Sequence, residues 1–368
     1  MSVSSVEAPQ PTTRRDLPRG ALPRRPGPIG TALCVLLLGL GFLLPAYGDD
    51  YYIGLVILVC VYGTVTVSWN LVLGFGGLFT FGQMAFFAMG AYTAGLLSLK
   101  AGVPPWVGLW AGMAAAAVAG FLIGLPSLRL YGPYMVLFTL AFQQILQIMI
   151  TTDTSGFTGG ADGLVGLTGL KLPGLSTANT ELYFALVMIS GTLLGVGWLL
   201  RSPVGCAIQS LRDSEAVAVA HGVGRTRHRV AIFVVSAALT GLAGSFYAYQ
   251  TTVITPSVLD LGLLVQLLAM IIIGGTSSMG GVLAGTALLV WLDDRLATQG
   301  NLSELLYGAI ILAVVLILPG GISGTVSRVR GYFETRLDAM FDEGDEPGEH
   351  GEGQAGEDRR EPTADHVA

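Results

Sequence analysis

The sequence predicts an all-α integral membrane protein with about ten transmembrane helices, and three observations carry that expectation. First, 52% of the 368 residues are hydrophobic and only 12% are charged, against roughly 25% charged in soluble domains. Second, the charges are segregated: they are nearly absent from apolar runs approaching the ~20 residues a membrane span needs, where a charge at a helix centre costs roughly 2.5–3.5 kcal/mol. Third, when ten such runs are threaded through a bilayer with the amino terminus inside, sixteen of the nineteen basic residues fall on the cytoplasmic side and only Lys100, Lys171 and Arg295 fall outside. That asymmetry satisfies the positive-inside rule and predicts that both termini are cytoplasmic.

Residues 1–28 are rich in proline and arginine, lack hydrophobic periodicity and read as a disordered tail. The apolar run 29–44 follows without an A-x-A cleavage site, so an uncleaved first span is expected rather than a secretory signal. Further spans are expected at 51–73, 78–99, 105–125, 132–150, 182–200, 230–249, 259–273, 282–296 and 302–318. Residues 29–319 thus form one membrane domain, and 320–368 form an acidic, glycine-rich, mostly disordered cytoplasmic tail.

Two glycine-rich stretches interrupt this pattern, Gly74 to Gln83 and Gly274 to Gly281. Each interior glycine costs a helix roughly 1 kcal/mol relative to alanine, so a break or re-entrant segment is expected at the first. Paired interruptions in two halves of a chain can mark a pathway in transporters. Other glycines recur at small-xxx-small spacing: Gly108/Gly112, Gly120/Gly124, Gly191/Gly195 and Gly281/Gly285. That spacing lets helix backbones approach closely in lipid. The three cysteines suggest no disulfide framework, and the four histidines have no metal-motif partner, so no metal is expected.

Within the spans, Asn70, Gln83, Thr139, Gln143, Gln144, Gln147 and Gln266 are polar groups that lipid could not satisfy, so they must face protein or water. Interhelical bonding is one reading. A translocation pathway lined by Asn70, Gln83, Thr139, Gln143, Gln147 and Gln266 is the other, with Gln143 and Gln147 on one helix face. No charge sits deep in a span, which suits neutral or zwitterionic solutes and argues against a proton relay.

The connector 201–229 is much longer than the two to eight residues usual between bundled helices. Its centre reads as a short amphipathic helix closed by Gly222 as a C-cap. A docking element for a cytoplasmic protein is the functional reading, a solvated connector the plain one. The chain has only two lysines, Lys100 and Lys171, both on expected external loops, so it has no P-loop lysine and cannot itself be an ATPase. No clustered nucleophile, base or metal-ligand set suggests a membrane enzyme.

Several segments together carry a family resemblance: Trp69-Asn70-Leu71-Val72-Leu73-Gly74 with Gly82 and the stretch Ala85 to Tyr92; Arg129 to Tyr134 with Thr139 to Phe142; Thr158 to Leu164; and Arg212 to Gly222 followed by Ser236 to Leu239. In these the chain resembles the permeases of high-affinity branched-chain amino acid ABC importers, the LivM-type subunit, over most of its membrane part. The resemblance implies an ABC importer permease bundle in the cell membrane. Its implied partners are two ABC ATP-binding subunits that bind ATP and magnesium, a second homologous permease subunit and an extracytoplasmic solute-binding protein, with lipid around the bundle and no nucleic acid. This chain would hold no cofactor.

In such permeases the connector looks like the EAA-type coupling segment seated in a cleft of the ATPase, which points to Arg212, Asp213, Glu215, Ala216, Ala218 and Gly222. The external loop 151–180, with Gly159, Gly160, Asp162 and Gly163, is the expected dock for the binding protein. Import of branched-chain or other hydrophobic amino acids is the leading reading. Urea or short-amide import is the rival within the family, and a stand-alone secondary transporter or channel is the rival outside it.

Overall fold

The computed structural model describes residues 50–127, 129–130, 132–171, 176–276 and 278–296, and beyond these only 308, 309, 312, 321, 322 and 324. The expected first span at 29–44 and both expected tails therefore lie outside the described residues, apart from 321, 322 and 324, as does the last span at 302–318 except for three positions.

The described chain is almost entirely helical. In order it runs α1 Asp50–Asn70, a π-turn Leu71–Phe75, α2 Gln83–Ala101, α3 Pro105–Ser127, α4 Pro133–Thr151, a two-residue strand β1 Leu164–Val165, and α5 Thr177–Arg201. There follow α6 Pro203–Asp213, α7 Glu215–Ala220, α8 Arg225–Thr251, β2 Val253–Ile254, a 3-10 turn Pro256–Leu259, α9 Leu261–Gly274 and α10 Met279–Leu296. Six of these helices are long and apolar enough to cross a membrane, which makes the chain a multi-pass membrane protein. Two expected spans differ from that standard. Helix α9 has only 14 residues, about 21 Å at 1.5 Å per residue. Helix α10 has 18 but ends in Asp293, Asp294 and Arg295.

Helix α8 is the hub, packed along α3, α2 and α1, while α1 also carries α5 and α10. The α2/α3/α8 contact is made by backbone meeting backbone. A Cβ on Gly90 would collide with the Gly241 backbone, one on Gly244 with Phe87, and one on Gly112 with Ser245 and Gly90. Ser245 Oγ donates to the Gly90 carbonyl at 3.1 Å, adding a bond across the crossing. The expected small-residue stripe of α3 is thus real: Gly108, Gly112, Gly120 and Gly124 all face α8. The same spacing at Gly191 and Gly195 meets nothing within 4 Å. Helix α4 stands apart and leaves Leu137, Ile145, Ile148 and Met149 exposed.

Candidate functional site

Where α1 gives way to the π-turn, the chain leaves helical geometry and runs irregularly to Gln83. Buried backbone polar groups need partners, and this break finds them across the molecule. The Gly76 and Leu78 amides donate back to the Leu71 and Val72 carbonyls, each at 3.0 Å. Trp69 Nε1 donates to the Thr80 carbonyl at 2.9 Å, and the Phe81 amide donates to Thr139 Oγ1 of α4 at 2.9 Å. The Gly74 carbonyl is taken by Arg212 Nη1, from the end of α6, at 2.7 Å. The Arg212 stem also lies against Gly77, whose φ of +65° suits glycine, so any Cβ there would press on it.

The second break, between α9 and α10, lies against the first. A Cβ on Gly74 would collide with both the Asn70 side chain and the Thr276 carbonyl. The two interruptions, some two hundred residues apart in sequence, therefore meet at Gly74.

Around this meeting point the expected pathway residues divide. Gln83 is buried and donates to Ser236 Oγ at 3.0 Å and to Thr240 Oγ1. Thr240 shares a 2.8 Å hydrogen bond with Ser68, and Ser236 donates to the Ser68 carbonyl. Gln83 thus belongs to a closed polar knot joining α1, α2 and α8. Thr139 is equally occupied, accepting from Phe81 and donating to the carbonyls of its own preceding turn. Gln143 Nε2 donates to the Leu259 carbonyl at 3.0 Å and Gln147 Nε2 to Asp260 Oδ1 at 2.7 Å. That pair pins α4 to the 3-10 turn, as its shared face allows. Gln266 is half-buried on α9. Asn70 differs: it is fully buried, and neither its oxygen nor its nitrogen has a partner.

The connector between α5 and α8 is two helices where one was expected. Ser202 caps the first, accepting from the Gly205 amide at 3.3 Å, with Pro203 in its first turn. Ser214, in extended geometry, separates it from α7. Gly222, at φ +83°, lies one residue beyond the α7 C-cap. The Val223 amide reaches the Ala218 carbonyl at 3.1 Å and the Gly222 amide reaches Val219 at 2.9 Å. These are the two bonds of a Schellman closure, which favours glycine at this position.

Glu215 is held within the chain, accepting from Arg225 at 2.8 Å and Arg229 at 2.9 Å at the start of α8. Asp213 is exposed and pairs only loosely with Arg212, at 3.9 Å. Ala218 is buried against the chain, whereas Ala216 and Ala220 are exposed beside Val217 and Val219. The outward face of α7 is therefore apolar. An open groove of about 680 Å³ runs beside it, lined by Glu215, Ala216, Val219, Val223, Gly224 and Arg225.

At the opposite end of α5, the expected docking loop is strongly shaped. Gly159, Gly160 and Gly163 all have positive φ. A Cβ on Gly159 would strike Gly163, and one on Gly163 would strike the Ile254 carbonyl. Asp162 is exposed. Strand β1 pairs antiparallel with β2, Leu164 opposite Ile254, and Leu164, Leu167 and Leu170 are buried. Asp153 organises the start of the loop, accepting from the Ser155 hydroxyl and from the Thr158 amide and hydroxyl. The Ser155 hydroxyl, followed by the Thr158 bonds, holds its carboxyl well below the usual carboxylate range.

Sequence reasoning missed the partners of Arg212 and Glu215. Ser236, by contrast, already stood in one of the segments carrying the family resemblance.

Comparison with known proteins agrees with this architecture. A family model described as "Branched-chain amino acid transport system / permease component" matches residues 51–315. The chain is 29% identical over 313 residues to the high-affinity branched-chain amino acid transport system permease protein LivM of Escherichia coli K12, covering 78% of this chain and 73% of that one. It is 29% identical over 287 residues to the protein of the same name from Salmonella typhimurium, covering 71% and 67%. It is 24% identical over 266 residues to a probable branched-chain amino acid transport permease protein LivH of Methanocaldococcus jannaschii, covering 66% and 82%. No solved structure gives a significant match. With the match covering every span described above, the chain belongs to the permease-component family of branched-chain amino acid transport systems.

Proposed function

We propose that this chain is one permease subunit of an ATP-driven importer that moves branched-chain or other hydrophobic amino acids into the cell by alternating access. Two ABC ATP-binding subunits hydrolyse ATP on the cytoplasmic face, a second homologous permease completes the pathway, and an extracytoplasmic binding protein delivers the solute to the loop carrying Gly159, Gly160, Asp162 and Gly163. Helices α6 and α7 dock on an ATPase, with the apolar outer face of α7 and the exposed Asp213 offered to it. Docking of a short apolar helix in a groove is a common recognition mode.

The observation that carries this reading is the 2.7 Å bond from Arg212 Nη1 to the Gly74 carbonyl. A connector that only bridged α5 and α8 would have no reason to grip the break after α1. Because it does, displacement of α6 by the ATPase is delivered directly to the point where the two helix breaks meet. Coupling of this kind requires an element with two arrangements that both sites bias, and an irregular, glycine-rich segment is suited to that role.

The test is reconstitution of the whole complex in vesicles. Arg212→Ala leaves insertion, pull-down of the ATPase and basal ATP hydrolysis intact but lowers uptake by about tenfold or more, as loss of a charge-assisted bond worth ~1.5–3 kcal/mol implies. Normal uptake by this variant would return the connector to a plain link between spans. Uptake by the purified chain without any ATPase would instead support a stand-alone carrier.

A further inference from the structure

We infer that Asn70 holds the polar head group of the transported solute, at a site closed in this conformation by contact between the two helix breaks. This inference rests on the importer reading above and names its substrate contact.

Among the described residues, Asn70 is the one side chain with both amide atoms fully enclosed and unpartnered. Its surroundings make that unusual. Nearby Gln83, Ser68, Ser236 and Thr240 satisfy one another, and Trp69, its neighbour in sequence, finds the Thr80 carbonyl. Buried polar groups are normally hydrogen-bonded, and an exception calls for a reason. A leucine would fill this position without the cost of an enclosed, unbonded amide.

The position gives the reason. Asn70 lies at the last turn of α1, its side chain against Gly74, and Gly74 in turn touches the Thr276 carbonyl of the second break. Gly74 has no room for a Cβ at that contact. Parting the breaks uncovers the Asn70 amide first, in a place where backbone is already irregular, the arrangement in which transporters expose polar backbone at membrane depth.

The chemistry of the ligand follows from the groups present. A side-chain amide offers two N–H donors and one acceptor oxygen, which complement a carboxylate and an ammonium on adjacent atoms. Arg212 is anchored on the Gly74 carbonyl, one helical turn beyond Asn70, and among the described residues no carboxylate bonds to this break. The site therefore suits the zwitterionic head group of an α-amino acid, its carboxylate toward the Arg212 side.

The experiment uses the complete complex in vesicles, with labelled leucine as solute and with ATP hydrolysis and thermal unfolding measured in parallel. Wild-type uptake driven by ATP is the control; if it is absent, the importer reading fails and the site is judged on that ground alone. Given that control, Asn70→Leu should assemble, unfold at the same or a higher temperature, retain binding-protein-stimulated hydrolysis, and transport at least tenfold fewer leucine molecules per ATP. A polar residue kept for structure alone gives the opposite: unchanged transport per ATP, or a parallel loss of stability and transport. Either result overturns the proposal. Asn70→Asp guards against misfolding by Asn70→Leu: it keeps size and polarity but adds a negative charge, so leucine uptake should fall while assembly and hydrolysis persist. Unchanged leucine uptake in this second variant equally overturns it.

Discussion

Helix α5 ends in a connector at each side of the membrane bundle, and the two are fastened by opposite means. The glycine-rich one, 152–171, is locked chiefly by backbone, through positive-φ glycines and the β1–β2 pairing, with the Asp153 carboxylate collecting local amides and hydroxyls. The arginine-rich one, 201–229, is held through side chains, Arg212 on the Gly74 carbonyl and Glu215 between Arg225 and Arg229. A backbone lock fixes shape whatever partner arrives. A side-chain fastening can be exchanged for another partner's groups without unfolding either helix. The first design suits a surface that is recognised, the second a surface that is moved.

Breaking the backbone lock should have the largest effect. Gly163→Val places a branched residue at φ +73° with its Cβ on the Ile254 carbonyl, and a backbone forced into a glycine-only region costs about 3 kcal/mol or more once the lost β pair is added. Thermal unfolding in detergent should register it. Gly156→Val at φ +69°, where no atom lies within 4 Å, is the control and should lose only about 1 kcal/mol.

A smaller change separates the connectors by their salt dependence. Glu215→Gln removes the acid common to two partly exposed ion pairs, so about 0.5–1 kcal/mol is expected at low ionic strength, shrinking as salt screens the pairs. Proteolysis of the arginine-rich connector should speed up in low salt and converge on the wild type in high salt. The glycine-rich connector should not respond.

The smallest effect is one of pH and belongs to the other connector. Asp153 is held below its ordinary value, chiefly by the Ser155 hydroxyl and the Thr158 bonds. A depressed carboxyl contributes stability that is complete above its unfolded value, near 4, and fades as pH falls through the lower folded value. Protease resistance of 152–171 should therefore be flat from neutral pH to about 4 and decline below it. Asp153→Asn should show lower resistance at neutral pH and little further loss on acidification.

Parts of this organisation were readable in the linear chain and parts were not. Hydropathy located the six long spans because the bilayer imposes a length and a polarity on each segment. Gly74 to Gln83 and Gly274 to Gly281 announced themselves as breaks through glycine content, and Gly222 as a helix stop through its place after an alanine-rich turn. Polarity alone could not sort Asn70 from Gln83: both are buried amides, and only three-dimensional pairing reveals that one is satisfied by Ser236 and Thr240 and the other by nothing. The acceptor of Arg212, a carbonyl freed by a helix break 138 residues away, leaves no mark near Arg212 itself. The partners of Glu215 left no mark near it for a similar reason: they lie beyond a turn whose geometry folds them back.

The crossing of α2, α3 and α8 has a mechanical consequence. Where Gly90 meets Gly241 and Phe87 meets Gly244, backbone lies against backbone, and the Phe86–Phe233 and Phe87–Tyr247 ring contacts flank the crossing. Such close contact resists sliding, so α2, α3 and α8 should move as one body, from Arg225, where α8 begins, to Thr251, where it ends beside β2. A push delivered at one membrane surface would then be felt at the other as a tilt of the three-helix body.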